Sequence, residues 1–407
     1  MPRVATTSPA ARIPRSGIRT LMELALHDPE AIHLEIGEPD LAPPAHVVDA
    51  TAAAARAGRT GYTSSLGLSE LRAAAADRVT QRYGRPTAAD EIVVTHGAMH
   101  GLAMAMATML APGDELLVPD PAFPNWEMAA VAAGVVPRRY ATHAREGFVP
   151  DPAEVEARIT PRTRAMIICS PNNPTGAVYP PHVLEALVEV ARRHDLWVLS
   201  DECYESITFD APHVSPTAFD TDGRVVAFYS LSKSYAMTGW RAGWAVVPDP
   251  EVVEMMGHLA EATVACPSTT GQVGALAAIT GPQDVVDAAV ASYRDRRDAA
   301  LALLERRGVA HVRPAGAFYL MVDVGEADTD AFALRLLEHR HVAVAPGSTF
   351  GDAAAGMVRV SLAAPRAALL EGLDRLADEV VARRADAGAD AAAGTAAGGG
   401  AGLAAAR

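Results

Sequence analysis

Lys233 is the one side chain in this sequence that could act as an amine nucleophile. Lysine and arginine together number 35, and arginine supplies the other 34. Arginine stays protonated, whereas a lysine that has lost its proton can form a Schiff base with an aldehyde. Lys233 follows an apolar run at residues 225–229, which predicts a position just beyond the end of a buried strand. A solvated lysine in an arginine-rich chain is the alternative when the residue is considered alone.

Other polar residues also follow apolar runs. Asp201 ends one run, Asn173 lies in the turn after another, and Gly97 follows a third. From residue 92 to 247 such runs alternate with helical segments, which predicts a mostly parallel sheet covered by helices on both faces. Ligands of these sheets bind beyond the carboxyl ends of the strands. We therefore expect these residues to meet Lys233 at one edge of the sheet.

Together these residue types fit the chemistry of one cofactor, pyridoxal phosphate. Lys233 would bind its aldehyde and later carry a proton between the substrate and the cofactor. Asp201 would keep the pyridine nitrogen protonated, which makes the ring an electron sink. The candidate ligands of the cofactor's phenolic oxygen are Asn173 and Tyr204. The candidate ligands of its phosphate are Gly97, Ala98, Met99, Ser230 and Arg241. Phe123 is the candidate for stacking on the face of its ring. A helix N-terminus and a guanidinium both suit a phosphate, and an aromatic ring suits stacking.

Three of these residues also have purely structural explanations. Asn173 suits the turn in which it lies, Phe123 suits an ordinary core, and Asp201 suits a helix cap. Arg359 is a charge inside the apolar strand at 358–361. Its forked guanidinium suits the α-carboxylate of an amino acid, with a structural ion pair as the alternative.

Several motifs follow one another in an order shared with a known family. They are GEPD at 37–40, NPTG at 173–176, DECY at 201–204, and SLSK at 230–233 with Arg241 and Arg359 beyond it. From residue 16 to its last helix the chain resembles the class I/II aminotransferases, the fold-type I pyridoxal-phosphate enzymes. The resemblance implies homodimers with shared active sites. It also implies that Tyr62 reaches the phosphate of the partner's cofactor and that the backbone of Gly37 touches the substrate carboxylate.

The predicted fold is therefore α/β, a fold-type I pyridoxal-phosphate transferase with a smaller α+β domain beside the large sheet domain. We expect residues 1–45 to contribute to the small domain and residues 46–282 to form the large cofactor-binding domain. Residues 283–384 would form the small domain with its bridging helix. Residues 385–407, rich in alanine and glycine, would be a disordered tail.

The resemblance predicts transfer of an amino group from an L-amino acid to a 2-oxo acid by a ping-pong mechanism. A carbon–sulfur lyase of the same fold and a non-catalytic cofactor-binding regulator are the alternatives. Relatives specific for aspartate carry a lysine where Met99 stands, so aspartate is not the expected preferred donor. Phe123 replaces a commoner tryptophan or tyrosine, which resembles relatives that act on aromatic or other apolar amino acids.

Composition limits the other classes of function. The net charge of −14 argues against a nucleic-acid partner. Three cysteines are too few for a disulfide framework or a zinc site, and His96 and His100 lack a third ligand, so no metal is predicted. No apolar run reaches membrane-spanning length, and the basic N-terminus has no apolar core typical of a secretory signal. We expect a cytoplasmic protein with small-molecule substrates.

Overall fold

The computed structural model describes the backbone of residues 9–398 and the side chains of residues 9–384. The strands are β1 (Ile32–His33), β2 (Ile92–Thr95), β3 (Glu115–Asp120), β4 (Val136–Ala141), β5 (Thr163–Cys169), β6 (Trp197–Asp201), β7 (Val225–Ser230), β8 (Gly243–Val246), β9 (His311–Val312), β10 (Tyr319–Asp323), β11 (Val342–Ala343), β12 (Ala345–Pro346) and β13 (Met357–Ser361). The helices are α1 (Gly17–Ala25), α2 (Ala45–Arg56), α3 (Ser69–Tyr83), α4 (Ala98–Met109), α5 (Pro124–Ala132), α6 (Pro152–Glu156), α7 (Pro181–Arg193), α8 (Leu231–Ser234), α9 (Pro250–Val264), α10 (Thr269–Thr280), α11 (Asp284–Arg307), α12 (Thr329–Arg340) and α13 (Arg366–Gly398).

Seven strands form the central sheet, in the order β2-β8-β7-β6-β5-β3-β4. Only β8 runs antiparallel to its neighbours, so the carboxyl ends of the other six strands lie at one edge. Consecutive residues pack into different cores: Ile167 contributes to the core on one face and Ile168 to the core on the other. Both faces are thus covered, as expected from strands that are apolar at almost every position.

A second sheet of four antiparallel strands has the order β12-β13-β10-β9, and β1 pairs with β11 as a separate parallel ribbon. These strands enclose their own apolar core with α11, α12 and α13. The register of β10 and β13 pairs Tyr319 with Ser361 and Met321 with Arg359. This pairing places Tyr319 and Arg359 on neighbouring strands, close to the carboxyl edge of the large sheet.

Two differences between the helix boundaries and the sequence pattern have local causes. The pattern predicts one helix over residues 250–278, but the chain turns between α9 and α10, where Pro267 cannot continue a helix. At the C-terminus, the predicted disordered tail begins at Ala385, yet α13 continues to Gly398. Alanine, which has the highest helix propensity, dominates residues 385–398, and the backbone of this part of the predicted tail is helical. Residues 399–407 of the predicted tail and residues 1–8 lie outside the described chain.

Among the described residues, no helix is both long enough and apolar enough to cross a membrane.

Candidate active site

One large cavity, of about 790 Å³, lies where the carboxyl edge of the large sheet faces the smaller sheet. Loops after β3, β5, β6 and β7 form its floor because parallel strands deliver their ends to one edge. Arg359 and Tyr319 enter it from the smaller sheet, and α1 borders its mouth. Most of the residues that the sequence singles out line this cavity: Gly37, Ala98, Met99, Phe123, Asn173, Asp201, Tyr204, Ser230, Lys233, Arg241 and Arg359.

Lys233 lies in α8, the four-residue helix that follows β7. Ser230 caps this helix, its hydroxyl accepting a hydrogen bond from the Ser232 amide at 3.2 Å. The cap fixes the direction in which Lys233 leaves the sheet. Its Nζ donates to the carbonyl of Gly37 at 2.5 Å and lies 5.8 Å from the centre of the Phe318 ring. The amine therefore points into the cavity and is held there by backbone from a distant part of the chain.

Asp201, the last residue of β6, is a buried carboxylate with no cationic partner among the described side chains. One oxygen accepts a hydrogen bond from Trp126 Nε1 at 3.0 Å, and the other accepts one from the Cys203 amide at 3.2 Å. Burial nevertheless raises the pKa of Asp201 above its usual value. A positively charged ligand group next to this carboxylate would stabilise its ionised form.

Arg241 and the start of α4 form the cationic end of the cavity. The guanidinium of Arg241 donates to the backbone carbonyls of Thr238 at 2.8 Å and of His96 at 3.2 Å, which fixes its position. Gly97 has φ +82°, and a Cβ added to it would lie 3.1 Å from Arg241 Nη2. Glycine is required here both by the backbone conformation and by the approach of the guanidinium.

Asn173, Tyr204 and Phe123 surround the middle of the cavity. Asn173 Oδ1 accepts a hydrogen bond from Arg359, so its amide nitrogen is the donor available to a ligand. Burial raises the pKa of Tyr204 well above its usual value, which keeps its hydroxyl protonated as a donor. Phe123 packs edge-on against Trp126, with ring centres 5.9 Å apart.

Arg359 is 1% exposed and forms no ion pair within the described chain. It donates to Asn173 Oδ1 at 3.0 Å and to the backbone carbonyl of Glu35, and its Cζ lies 4.2 Å from the centre of the Tyr319 ring. Burial lowers the pKa of Arg359 because the cation has lost its water. The structural ion pair considered as the alternative is absent from the described residues, and a buried cation without a counter-ion suits an anionic ligand.

Similar proteins agree with this geometry. The profile of the family described as "Aminotransferase class I and II" matches residues 29–376. The aspartate/prephenate aminotransferase of Thermus thermophilus is 40% identical over 88% of this chain and 92% of its own length. The arginine–pyruvate transaminase of Pseudomonas aeruginosa is 38% identical over 86% of this chain and 89% of its own. This chain belongs to the class I and II aminotransferases.

A solved structure shows that the folds also agree. The aromatic aminotransferase from Pyrococcus horikoshii superposes with a TM-score of 0.84 at 34% identity, covering 90% of this chain and 99% of that one. The α/β fold-type I architecture predicted from the sequence is confirmed, as is the prediction of an aminotransferase.

Two residues that line the cavity carry no signal in the sequence. Trp126 lies in α5 and binds Asp201 across 75 residues of chain. Tyr319 opens β10, and its hydroxyl lies 2.8 Å from that of Tyr204, 115 residues away. From the sequence, both residues are expected to be ordinary aromatic residues of the core, because the apolar residues around them do not indicate which polar atom each will hydrogen-bond.

Tyr62, His96 and His100 do not line the cavity, although the backbone carbonyl of His96 contacts Arg241. Tyr62 is 91% exposed and does not line the cavity of its own chain. His100 accepts a hydrogen bond from the His96 amide at 3.1 Å, and burial lowers the pKa of His100 to about 4. No cluster of three metal-ligating side chains is present among the described residues.

Proposed function

We propose that this aminotransferase binds pyridoxal phosphate in the cavity and attaches it covalently to Lys233. It would then move an amino group from an L-amino acid to a 2-oxo acid in two half-reactions. The observation that carries the proposal is that the chain's only lysine shares one cavity with two buried charged groups. They are the carboxylate of Asp201 and the guanidinium of Arg359, which has no ion pair among the described residues.

The side chains of the cavity fit the cofactor at each end. Asp201 is buried, which raises its pKa, and a protonated pyridine nitrogen would provide a cation to this carboxylate. At the other end, Ser230 and Arg241 line the cavity and offer a hydroxyl and a guanidinium to the phosphate. Between them, Phe123 offers an aromatic face to the ring.

Bound pyridoxal phosphate supplies an aldehyde that can carry the amino group and a ring that accepts electrons. The protein supplies the proton movement and the orientation. The amine of Lys233, freed once substrate has taken its place, would carry a proton to and from the substrate's α-carbon. Asn173 and Tyr204 would donate hydrogen bonds that hold the ring at one angle to Lys233.

Arg359 would bind the α-carboxylate shared by every amino-acid and 2-oxo-acid substrate. Its guanidinium can donate hydrogen bonds to both carboxylate oxygens at once. The ring centres of Tyr319 and Phe350 lie 4.2 and 4.9 Å from its Cζ and keep the guanidinium in place.

We expect Arg359→Lys to raise KM for both the donor and the acceptor by roughly 10- to 100-fold, because an ammonium group cannot form the bidentate hydrogen bonds of a guanidinium. The absorbance of the bound cofactor should not change. Arg297→Lys is the matched control, because Arg297 is equally buried but pairs with Asp210 away from the cavity. Steady-state kinetics with unchanged KM in Arg359→Lys would contradict the assignment.

The side chain of the substrate would enter an apolar part of the cavity. Ile18, Met22, Met99 and Met128 line this region, and all four are half-buried. Flexible thioethers adapt to large apolar groups, so we propose that large apolar and aromatic amino acids are the preferred donors. The names of the relatives span aspartate, arginine and aromatic substrates, so the family alone does not assign the donor.

Met99→Lys tests this assignment by adding a cation to the apolar region. We expect kcat/KM for aspartate to rise by about tenfold or more and kcat/KM for phenylalanine to fall, because a lysine binds a carboxylate and loses water poorly. Competition assays with both donors measure the ratio. A wild-type enzyme that already prefers aspartate would refute the proposed donor class while leaving the aminotransferase intact.

A single-turnover experiment tests the reaction itself. Holoenzyme mixed with an amino acid and no acceptor should lose its visible colour and release the matching 2-oxo acid, with no free ammonia. A 2-oxo acid added afterwards should restore the colour. Ammonia and pyruvate from cysteine-type substrates would favour the lyase alternative. A spectrum unchanged by any amino acid would favour the regulator. The comparisons favour neither alternative.

We also propose that the enzyme works as a homodimer. Tyr62 is a large side chain left 91% exposed in one chain, and a partner's cavity would give its ring and hydroxyl a place. Sedimentation of the holoenzyme as a monomer with full activity would contradict this.

A further inference from the structure

Two buried tyrosine hydroxyls meet at the wall of the cavity. Tyr204 follows β6 of the large sheet, and Tyr319 opens β10 of the smaller one. They are 3% and 2% exposed, and their oxygens are 2.8 Å apart. Neither hydroxyl has another hydrogen-bond partner within the described chain, so each depends on the other.

We propose that Tyr319 is a positioning residue that donates its hydrogen bond to Tyr204 and thereby aims the hydrogen of Tyr204 at the cofactor's phenolic oxygen. The inference rests on the cofactor assignment made above and adds a residue to it. Through this pair, Tyr319 would set how firmly the cofactor-linked nitrogen of Lys233 holds its proton.

The direction of the hydrogen bond follows from counting hydrogens. Each hydroxyl has one hydrogen, and only one can lie between the two oxygens. If Tyr204 donated to Tyr319, it would turn a lone pair toward the negatively charged phenolic oxygen, which is repulsive. Burial raises the pKa of Tyr204, so its hydrogen stays available for donation. The cofactor therefore selects the arrangement in which Tyr319 donates to Tyr204 and Tyr204 donates to the cofactor.

The ring of Tyr319 is held so that its hydroxyl has one position. One face packs against the guanidinium of Arg359, and Phe318 is a tilted neighbour with ring centres 5.0 Å apart. At the tip, a Cβ on Gly37 would lie 1.8 Å from the Tyr319 oxygen, so glycine is needed there for the hydroxyl to fit. The carbonyl of the same Gly37 receives Lys233. Tyr319 thus contacts the residues that hold the substrate carboxylate and the catalytic amine.

A stronger donor to the phenolic oxygen stabilises its negative charge and weakens its attraction for the proton on the neighbouring nitrogen. Losing the hydroxyl of Tyr319 should have the reverse effect. We expect Tyr319→Phe holoenzyme to change colour in a pH titration with a midpoint about 0.5 to 1 pH unit higher than the wild type, as one weakened hydrogen bond implies. Near neutral pH, kcat should fall by roughly 3- to 10-fold.

The retained ring separates this role from carboxylate binding. Phenylalanine preserves the aromatic face beneath Arg359, so KM for donor and acceptor should change less than about twofold. Tyr293→Phe is the matched control: Tyr293 is fully buried, its ring centre lies 5.3 Å from that of Phe318, and its hydroxyl has no hydrogen-bond partner in the described chain. Its titration midpoint should equal that of the wild type.

A double-mutant cycle completes the test. Tyr204→Phe and the double variant Tyr204→Phe/Tyr319→Phe should share one midpoint, because Tyr319 acts through Tyr204. Additive shifts would overturn the relay, and so would an unchanged midpoint in Tyr319→Phe or a rise in KM without a shift. A wild-type protein that forms no coloured complex with pyridoxal phosphate would instead refute the cofactor assignment, which keeps the two failures distinct.

Discussion

Lys233→Ala protein is expected to fold, to bind pyridoxal phosphate without a covalent bond, and to transfer no amino groups. Alanine removes both the attachment point and the proton carrier, and these two functions together account for several powers of ten in rate. The cost to folding is small. Nζ makes one hydrogen bond, to the Gly37 carbonyl, so the free energy of unfolding should fall by only about 1 kcal/mol.

Borohydride reduction followed by peptide mapping measures the covalent bond directly. Wild-type holoenzyme should yield one modified peptide, which contains Lys233, because the chain has no other lysine. The variant should yield none. A variant that retained transamination within about a hundredfold of the wild type would remove Lys233 from the mechanism.

Asp201→Asn is expected to change activity and the stability of the cofactor-free protein in opposite directions. Burial raises the folded-state pKa of Asp201, so between the usual and the raised pKa the folded, cofactor-free protein binds more protons there than the unfolded chain does. The free energy of unfolding therefore decreases as pH rises from the usual pKa of a carboxyl group to the raised pKa of Asp201, and it stays lower at higher pH. An amide does not titrate, and it escapes this penalty.

The measurement is denaturant unfolding of cofactor-free protein at several pH values. At acid pH, Asp201 is protonated in both the folded and the unfolded protein. The free energies of unfolding of the wild type and Asp201→Asn should then differ by an amount that does not depend on pH. The difference should move in favour of Asp201→Asn as pH rises through the raised pKa of Asp201. If the difference in free energy of unfolding did not change with pH, burial would not destabilise the ionised form of Asp201.

The same substitution should lower kcat/KM by about a hundredfold or more, because the pyridine nitrogen loses the charge that keeps it protonated. Glu202→Gln is the matched control. Glu202 is a neighbouring buried carboxylate, but its partners are Ser200, His213 and Ser215, and it does not line the cavity. It should retain cofactor binding and the colour of the holoenzyme. Loss of cofactor from both variants would indicate a general effect of damaging the end of β6.

Much of the fold and of the candidate site is local in the sequence. Asp201 and Lys233 come directly after apolar runs, and parallel strands bring such positions to one edge whatever the length of the connections. The helix boundaries have local causes too. Pro267 divides one predicted helix, and alanine extends the last one through 385–398.

The sequence by itself determined that one lysine, a strand-end carboxylate and a strand arginine could serve a single aldehyde cofactor. The tertiary structure decided how each is held. Trp126 reaches Asp201 across 75 residues, Tyr319 reaches Tyr204 across 115, and Gly37 reaches Lys233 across 196. Such contacts depend on how helices, loops and strands pack together and on strand register, because a shift of one residue turns a strand side chain to the opposite face.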